Sequence, residues 1–214
     1  MIDFELIVES LPLLLHGALI TLQIAASAAI IGIGVGVPLA FMQTSTITSL
    51  KALTWTYVGF FRGTPMLVQL LFAYYVLPLP PLLSCILAMG LNSSAYVSQI
   101  VKTGIKSVPQ GQLDAAFTLG LSPLATKRYI VFPQALKISL PALGNELVTL
   151  IKDSSLASVI GIVELSKEGS IIRSRTYDAF SVLLAVSAIY LVMTALLSCC
   201  ISLYESRSKT PCYR

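Results

Sequence analysis

The chain has 214 residues, of which 56% are hydrophobic and only 11% are charged. Roughly a quarter of the residues in a soluble globular protein are charged. This composition therefore excludes a soluble domain and predicts a membrane-embedded protein. The formal net charge of +4 is modest, and we expect no nucleic-acid partner.

The four cysteines lie in or beside apolar runs and show no CxxC spacing. We expect them to be small apolar side chains without a disulfide or metal role. His16 is the one histidine in the sequence, which excludes a metal site built from several histidines. The cysteines are Cys85, Cys199, Cys200 and Cys212.

The chain begins with an acidic segment, 1–14, that lacks the basic start of a cleaved signal peptide. We expect this segment to be retained as a short, amphipathic, extracytoplasmic piece. A spanning helix needs roughly 20 mainly apolar residues, and five later runs qualify. The predicted fold is an all-α membrane protein with a transmembrane domain over 15–204 and a tail over 205–214. The predicted spans are 18–41, 56–77, 82–101, 139–163 and 179–204.

The first span contains Gly32 and Gly36, four residues apart. A phosphate-binding loop would need a preceding strand, whereas this spacing is typical of small residues that let helices pack closely. Pro38 is expected to kink or end the same helix. The prolines at 78–81 are expected to end the second span and start the third, which makes those helices antiparallel neighbours.

Lysine and arginine fall mainly on one side of the predicted spans, and that side is expected to be cytoplasmic. The prediction places the N-terminus outside and the C-terminus and the 102–137 loop inside. The outer side carries Lys167, Arg173 and Arg175. The inner side carries Lys51, Lys102, Lys106, Lys127, Arg128, Lys137, Arg207, Lys209 and Arg214.

The long polar connection over 108–141 is uncommon in length unless it is functional. Gly120 predicts a helix end with left-handed geometry. Ser122 predicts an N-cap, and Pro123 predicts the first position of a second short helix. We therefore expect two short helices held at an angle as a docking surface for a partner.

The fourth predicted span contains Glu146, Lys152 and Asp153, and Glu164 lies at its outer end. Ionisable groups in a membrane are costly and usually face a partner or a water-filled path. The run Lys152-Asp153-Ser154-Ser155 also competes with helical hydrogen bonding. It predicts a bent or partly unwound stretch near the middle of the membrane that lines a cavity.

A zwitterionic amino acid needs a cationic and an anionic acceptor close together, and Lys152, Asp153 and the hydroxyls of Ser154 and Ser155 supply both kinds. An internal ion pair that only fixes helix packing fits these charges as well. In the third span, Asn92 and Tyr96 share one helix face. They fit either a substrate path or interhelical hydrogen bonding.

At the 108–141 loop the chain resembles the permease subunits of ABC importers. Asp114-Ala115-Ala116, Gly120 and the later Ile130, Phe132 and Pro133 match their Glu-Ala-Ala loop, with Asp for Glu and Phe for Leu. The runs FRGTP at 61–65 and KDSSL at 152–156 resemble the polar amino-acid branch. The chain departs from that branch at Gln99 and Lys102, where Glu and Arg are common.

The resemblance implies a membrane type-1 permease domain in the bacterial inner membrane, with an ATPase subunit docked on the coupling residues. It implies an extracytoplasmic amino-acid-binding protein and a second permease chain as further partners. The sequence contains no Walker A pattern, so ATP is expected on the ATPase subunit and no cofactor on this chain. The resemblance supports a substrate path through Asn92, Tyr96 and the 152–155 run. Gate or structural roles are the candidates for Arg62, Thr64, Glu146 and Glu164.

Two other classes of function compete with this interpretation. A stand-alone secondary transporter or channel predicts an internal repeat and a coupling-ion site, and it gives no reason for the docking loop. An intramembrane hydrolase would have to use His16 at the outer end of the first span. We therefore expect no catalytic residue in this chain.

Overall fold

The computed structural model describes the backbone of residues 2–208 and the side chains of residues 2–206. Lys209, Cys212 and Arg214, with most of the predicted tail, lie outside the described residues. Every regular element in the described part is helical, and the helices pack as one bundle with a short-helix loop at one end. The elements are α1 Phe4–Gln43, α2 Thr48–Gly63, α3 Met66–Val76, α4 Pro81–Lys106, α5 Gln110–Thr118, α6 Pro123–Thr126, a π-helical turn Lys127–Val131, α7 Phe132–Asp153, a 3₁₀ helix Ser154–Ile160, α8 Leu165–Thr176 and α9 Ala179–Ser208.

The first helix is longer than the sequence predicts. α1 begins at Phe4, where the side chain of Asp3 accepts a hydrogen bond from the Leu6 amide, so most of the predicted N-terminal segment belongs to the same helix. Pro38 does not end it, and α1 continues to Gln43. A proline inside a helix costs about 3 kcal/mol. Burial of Ala40 against α4 offsets part of this cost.

The close packing predicted from Gly32 and Gly36 is confirmed, because both glycines lie against α4. A Cβ atom on Gly32 would stand 2.9 Å from Ser93 Oγ, and one on Gly36 would stand 2.7 Å from Val97 Cβ. These glycines therefore let the backbones of α1 and α4 approach directly. This helix pair is the central contact of the bundle.

The second predicted span is wrong as a continuous helix. It starts earlier, at Thr48, and it breaks after Gly63, where Thr64 adopts an extended conformation with φ −113° and ψ 146°. Pro65 explains the break, because proline lacks an amide hydrogen and disfavours helical geometry in the residue before it. The predicted turn at 78–81 is confirmed, with Pro81 as the first residue of α4.

The fourth predicted span starts seven residues earlier than expected, at the beginning of α7. Near its end the chain changes from an α-helix to a 3₁₀ helix. α7 stops at Asp153 and a 3₁₀ helix follows from Ser154 to Ile160. The predicted departure from α-helical geometry at the Lys152–Ser155 run is therefore confirmed, but the chain stays helical there and winds more tightly, so it is not unwound. Gly161, with φ +83°, ends the 3₁₀ helix in the left-handed region that glycine favours.

Three helices in the described residues are long and apolar enough to cross a membrane: α1, α4 and α9 up to Ser206. α3 is a shorter apolar helix of 11 residues. α7 carries four charged side chains, which lowers its hydropathy. They are Lys137, Glu146, Lys152 and Asp153.

The apolar core has two main parts. The larger part joins α1, α3, α4, α7 and the 3₁₀ helix around residues such as Ile24, Leu70 and Met89. The second part joins the start of α1 to α8 and α9 around Leu14 and Leu165. The two ends of the bundle are thereby held on one long helix, α1.

Candidate functional site

The first helix of the coupling loop ends in a well-defined turn. Gly120 has φ +73°, and its amide donates to the Phe117 carbonyl at 2.9 Å. The Leu121 amide donates to the Ala116 carbonyl at 3.1 Å. These two bonds form a Schellman motif. The helix end predicted at Gly120 is thus confirmed.

The second helix of the loop starts as predicted but does not stop. The Ser122 side chain accepts a hydrogen bond from the Ala125 amide at 3.2 Å, and Pro123 is the first helical residue. The chain then passes through the π-helical turn at Lys127–Val131 and runs directly into α7. The loop is therefore one short helix, α5, set against the projecting start of a long helix.

The coupling residues predicted from the resemblance divide into an exposed and a buried group. Asp114 and Ala115 are exposed, whereas Ala116 is buried beneath them. The carboxylate of Asp114 accepts a hydrogen bond from Gln110 Nε2 at 3.0 Å. Ile130 is half-buried, and Phe132 and Pro133 are exposed where α7 begins.

The loop also presents large apolar side chains to its surroundings, and most of them were not singled out from the sequence. Phe117 is 84% exposed and Leu119 is 79% exposed. Leu124 and Tyr129 extend the same kind of surface onto the second helix. Several large apolar side chains exposed on one polar loop are typical of an interaction site.

Contacts with the bundle hold the loop in place. Gln134 Nε2 donates to the side chain of Gln112 and to the Ile130 carbonyl, so α7 is tied to α5. The rings of Phe41 and Phe132 lie 6.0 Å apart. These contacts join α5 to the start of α7, and the start of α7 to the end of α1.

A second candidate region is a cavity of about 320 Å³ inside the bundle. Its polar lining brings α4 and α7 together with the break between α2 and α3. The carboxylate of Glu146 accepts a hydrogen bond from Ser93 Oγ at 2.8 Å. The lining residues are Thr64, Met66, Asn92, Tyr96, Glu146, Thr149 and Asp153.

Asn92 holds the broken second crossing in place. Its side-chain nitrogen donates to the Phe61 carbonyl at 3.0 Å and to Gln69 Oε1 at 2.9 Å. Gln69 Nε2 in turn donates to the Phe61 carbonyl and to Thr64 Oγ1. Both amide side chains satisfy backbone and hydroxyl groups that the helix break leaves free. Gln69 was missed, although a single amide in the apolar run of α3 was a visible signal.

Arg62 lies at the C-terminal end of α2, roughly 21 Å along the helix from Thr48 at 1.5 Å per residue. Its guanidinium carbon stands 5.2 Å from the centre of the Tyr96 ring, within the range of a cation–π contact. Tyr96 lines the cavity, so a positive charge lies next to it. The sequence offered Arg62 a gate or structural role, and the structure adds the aromatic ring that its guanidinium contacts.

The four residues of the predicted 152–155 run do not line the cavity together. Asp153 lines the cavity, whereas Lys152 is exposed and lies outside the residues that line it. Ser154 is fully buried, and its hydroxyl donates to the Ile151 carbonyl at 2.7 Å. The Ser155 carbonyl accepts a hydrogen bond from Ser158. The cavity therefore receives one carboxylate from this run.

Glu164 belongs to a different part of the molecule. It is fully buried and caps α8 by accepting the Ser166 and Lys167 amides at 2.8 and 2.9 Å. Tyr190 donates its hydroxyl to the same carboxylate at 2.9 Å, and Thr21 donates at 3.4 Å. Glu164 thus joins α1, α8 and α9, away from the residues that line the polar cavity.

Comparison with known proteins extends over nearly the whole chain. The nopaline transport system permease protein NocM of Agrobacterium fabrum is 40% identical, over 95% of this chain and 90% of NocM. The arginine transport system permease protein ArtQ of Bacillus subtilis is 34% identical, over 92% and 93%. The glutamine transport system permease protein GlnP of Escherichia coli is 33% identical, over 97% and 98%.

Solved structures show the same architecture. A chain from an amino acid ABC transporter with histidines superposes with a TM-score of 0.90 at 39% identity, covering 97% of this chain and 99% of that one. A chain of the inward-facing methionine ABC transporter MetNI superposes with a TM-score of 0.82 at 19% identity. The second likeness is one of fold alone. The family model described as binding-protein-dependent transport system inner membrane component matches residues 32–209, and the chain therefore belongs to this family of ABC transporter permeases.

Proposed function

We propose that this chain is the membrane-spanning permease subunit of a bacterial inner-membrane ABC importer for polar amino acids. A separate ATPase subunit drives it, and an extracytoplasmic binding protein delivers its substrate. The observation that carries this proposal is the exposed loop surface formed by Asp114, Phe117, Leu119, Leu124 and Tyr129. A rigidly capped helix with an acidic group and large apolar side chains fits a docking partner better than it fits solvent.

The proposed topology has five crossings, with the N-terminus outside and the C-terminus in the cytoplasm. α2 and α3 together form the second crossing, since their 16 and 11 residues extend about 40 Å at 1.5 Å per residue. α7 and the 3₁₀ helix form the fourth crossing. The charge distribution supports this orientation, because lysine and arginine are concentrated on the loop side.

The polar cavity is the proposed substrate path. The carboxylates of Glu146 and Asp153 provide acceptors for the ammonium group of an amino acid or for a cationic side chain. Arg62, whose guanidinium contacts the Tyr96 ring, provides a positive charge for the carboxylate of the transported amino acid. The lining itself thus offers two carboxylates, and the positive charge that a zwitterion also needs lies beside the cavity, on exposed Arg62, which is not a lining residue. Two such permease chains, rocking as the ATPase subunits close, would expose the path to alternate sides.

The docking proposal is tested by co-purification of the chain with its cognate ATPase in nanodiscs. Asp114→Lys reverses a charge in the centre of the loop surface. Glu9→Lys makes the same change in charge on an exposed residue near the other end of the molecule. We expect wild type and Glu9→Lys to retain the ATPase and Asp114→Lys to release it, with equal amounts of each in the membrane. Retention by all three would overturn the docking assignment. Binding by none of them would overturn the importer function and favour a transporter that works alone.

The path proposal is tested separately by uptake into proteoliposomes that contain the complete transporter. Asp153→Asn removes a charge from the cavity, and Glu5→Gln removes one from an exposed position. We expect Asp153→Asn to lower uptake of labelled arginine or glutamine at least about tenfold, the loss expected when one charged hydrogen bond is removed. ATPase co-purification should stay unchanged. Normal uptake by Asp153→Asn of whichever amino acid wild type carries would show that the path lies elsewhere.

A further inference from the structure

A second cavity, of about 400 Å³, opens where the end of α1, the start of α2 and the last third of α4 meet. Two lysines from different helices, Lys51 of α2 and Lys102 of α4, point into it. Among the described residues, no acidic side chain lines this cavity. We call it the basic cavity, and its lining residues are Gln43, Thr48, Lys51, Ala52, Trp55 and Lys102.

Gln43, a neutral residue of the lining, is already hydrogen-bonded to two side chains of α4 that lie outside the lining. Gln43 Nε2 donates to Ser98 Oγ at 3.1 Å, and Gln43 Oε1 accepts from Gln99 Nε2 at 2.8 Å. Gln43 therefore gives the lysines little compensation. Two ammonium groups that share one concave surface repel each other, and an anion placed between them is favoured.

The position of the basic cavity identifies the kind of anion. Trp55 is 78% exposed. It follows Lys51 by four residues, so both side chains lie on the same face of α2 and line the cavity. Tryptophan is enriched at the boundary between lipid headgroups and acyl chains. The helix ends that carry Gln43 and Thr48 lie on the same side of the bundle as the coupling loop. Basic pockets between helices on the cytoplasmic side of a membrane are suited to acidic lipid headgroups.

We propose that the basic cavity binds the phosphodiester headgroup of an anionic phospholipid from the leaflet on the coupling-loop side. Lys51 and Lys102 contact the phosphate oxygens, and Trp55 packs beside the glycerol and the first methylenes of an acyl chain. The proposal rests on the membrane orientation given above. It gives the transporter a lipid contact formed by α1, α2 and α4. This contact lies close to the end of α4, from which the chain enters the coupling loop.

The test measures lipid binding to the purified full-length permease by native mass spectrometry, with phosphatidylglycerol and phosphatidylcholine as probes. The double variant Lys51→Gln/Lys102→Gln removes both cations of the basic cavity. The control Lys106→Gln/Lys137→Gln removes two exposed cations of the same side with the same change in net charge. A third variant, Lys51→Arg/Lys102→Arg, keeps the charges and reports whether the site tolerates substitution.

We expect wild type, the control and the arginine variant to prefer phosphatidylglycerol over phosphatidylcholine. The Lys51→Gln/Lys102→Gln variant should bind phosphatidylglycerol roughly thirtyfold more weakly, as expected for the loss of two lysine–headgroup contacts. Equal loss in the control would show a diffuse charge effect and overturn the proposal, as would unchanged binding in the variant. Full displacement of the lipid by millimolar glycerol phosphate would identify a soluble phosphate as the ligand instead. ATPase co-purification, measured on the same samples, separates this result from the docking proposal.

Discussion

The contact between α1 and α4 allows a sharp test, because two neighbouring glycines of α1 lie in opposite environments. Gly36 is buried, and a Cβ atom there would stand 2.7 Å from Val97 Cβ and 2.8 Å from the Ser94 carbonyl oxygen. Gly34, two residues earlier, is exposed, and a Cβ atom there would meet nothing within 4 Å. Gly36→Ala and Gly34→Ala therefore make the same chemical change in one helix with different consequences.

The size of the effect follows from these distances. An ordinary Cβ contact begins at 3.4 Å, so Gly36→Ala is short by about 0.7 Å against a neighbour at 2.7 Å. Rotation of the Val97 side chain moves its Cγ1 atom but not its Cβ atom. The Val97 Cβ and the Ser94 oxygen are both fixed to the α4 backbone, so they can move away only with the helix. Overpacking of this kind costs about 1–3 kcal/mol. The gain in helix propensity from glycine to alanine is about 1 kcal/mol and is common to both variants.

We therefore expect Gly34→Ala to be stabilised by up to about 1 kcal/mol and Gly36→Ala to be destabilised by up to about 2 kcal/mol. The difference between the variants isolates the steric effect, because the propensity gain cancels. Thermal unfolding of the purified permease in detergent measures it, and 1 kcal/mol corresponds to roughly 2–4 °C in Tm for a chain of this size.

The result that refutes this reasoning is equal stability of the two variants, which would mean that α1 and α4 are not in direct backbone contact at Gly36. The double variant Gly36→Ala/Val97→Ala adds a second check. It removes the contact with Val97 Cγ1 but leaves the contacts with the Cβ of residue 97 and with the Ser94 oxygen. We expect only partial recovery of stability relative to Val97→Ala alone.

Three further predictions concern the loop and the outer end of the bundle. Glu164→Ala removes the cap of α8 and the acceptor of Tyr190, so it should lower the free energy of unfolding by about 2–4 kcal/mol; an unchanged Tm would contradict this. Ser122→Ala removes the N-cap of the second loop helix, so amide hydrogen exchange over 122–126 should become several-fold faster, and protection equal to wild type would refute the capping role. Hydrogen bonds from Ser181 lower the pKa of exposed Asp178 below its usual value of 3.8. Ionised Asp178 therefore stabilises the start of α9 above about pH 4, and this stability is lost as the pH falls through its folded pKa. Amide hydrogen exchange in the first turn of α9 should depend on pH in this range in wild type, and Asp178→Asn should remove that pH dependence.

Much of the local structure could be predicted because it depends on neighbours in the sequence. The helix end at Gly120, the cap at Ser122 and the start of α4 at Pro81 are confirmed. Each of these residues acts on the backbone within four positions of itself. The departure from α-helical geometry after Asp153 is confirmed for the same reason, since serine side chains bond to nearby carbonyl groups.

The extents of the helices could not be predicted in this way. Pro38 carries the signal of a helix end, yet α1 continues because Ala40 packs against α4. Pro65 carries a similar signal and does break its helix, and there Gln69 and Asn92 satisfy the carbonyl groups that are freed. The outcome at each proline depends on which side chains from other helices are within reach.

The sequence by itself determined the membrane class, the family and the local turns of the coupling loop, because composition and short motifs carry that information. Only the tertiary structure decided which polar side chains meet. It places Asp153 with Glu146, Asn92 and Tyr96 in one cavity and leaves the neighbouring Lys152 outside it. Adjacent helical residues point about 100° apart. Their partners are therefore set by the packing of α2, α3 and α4 around α7, which no local pattern records.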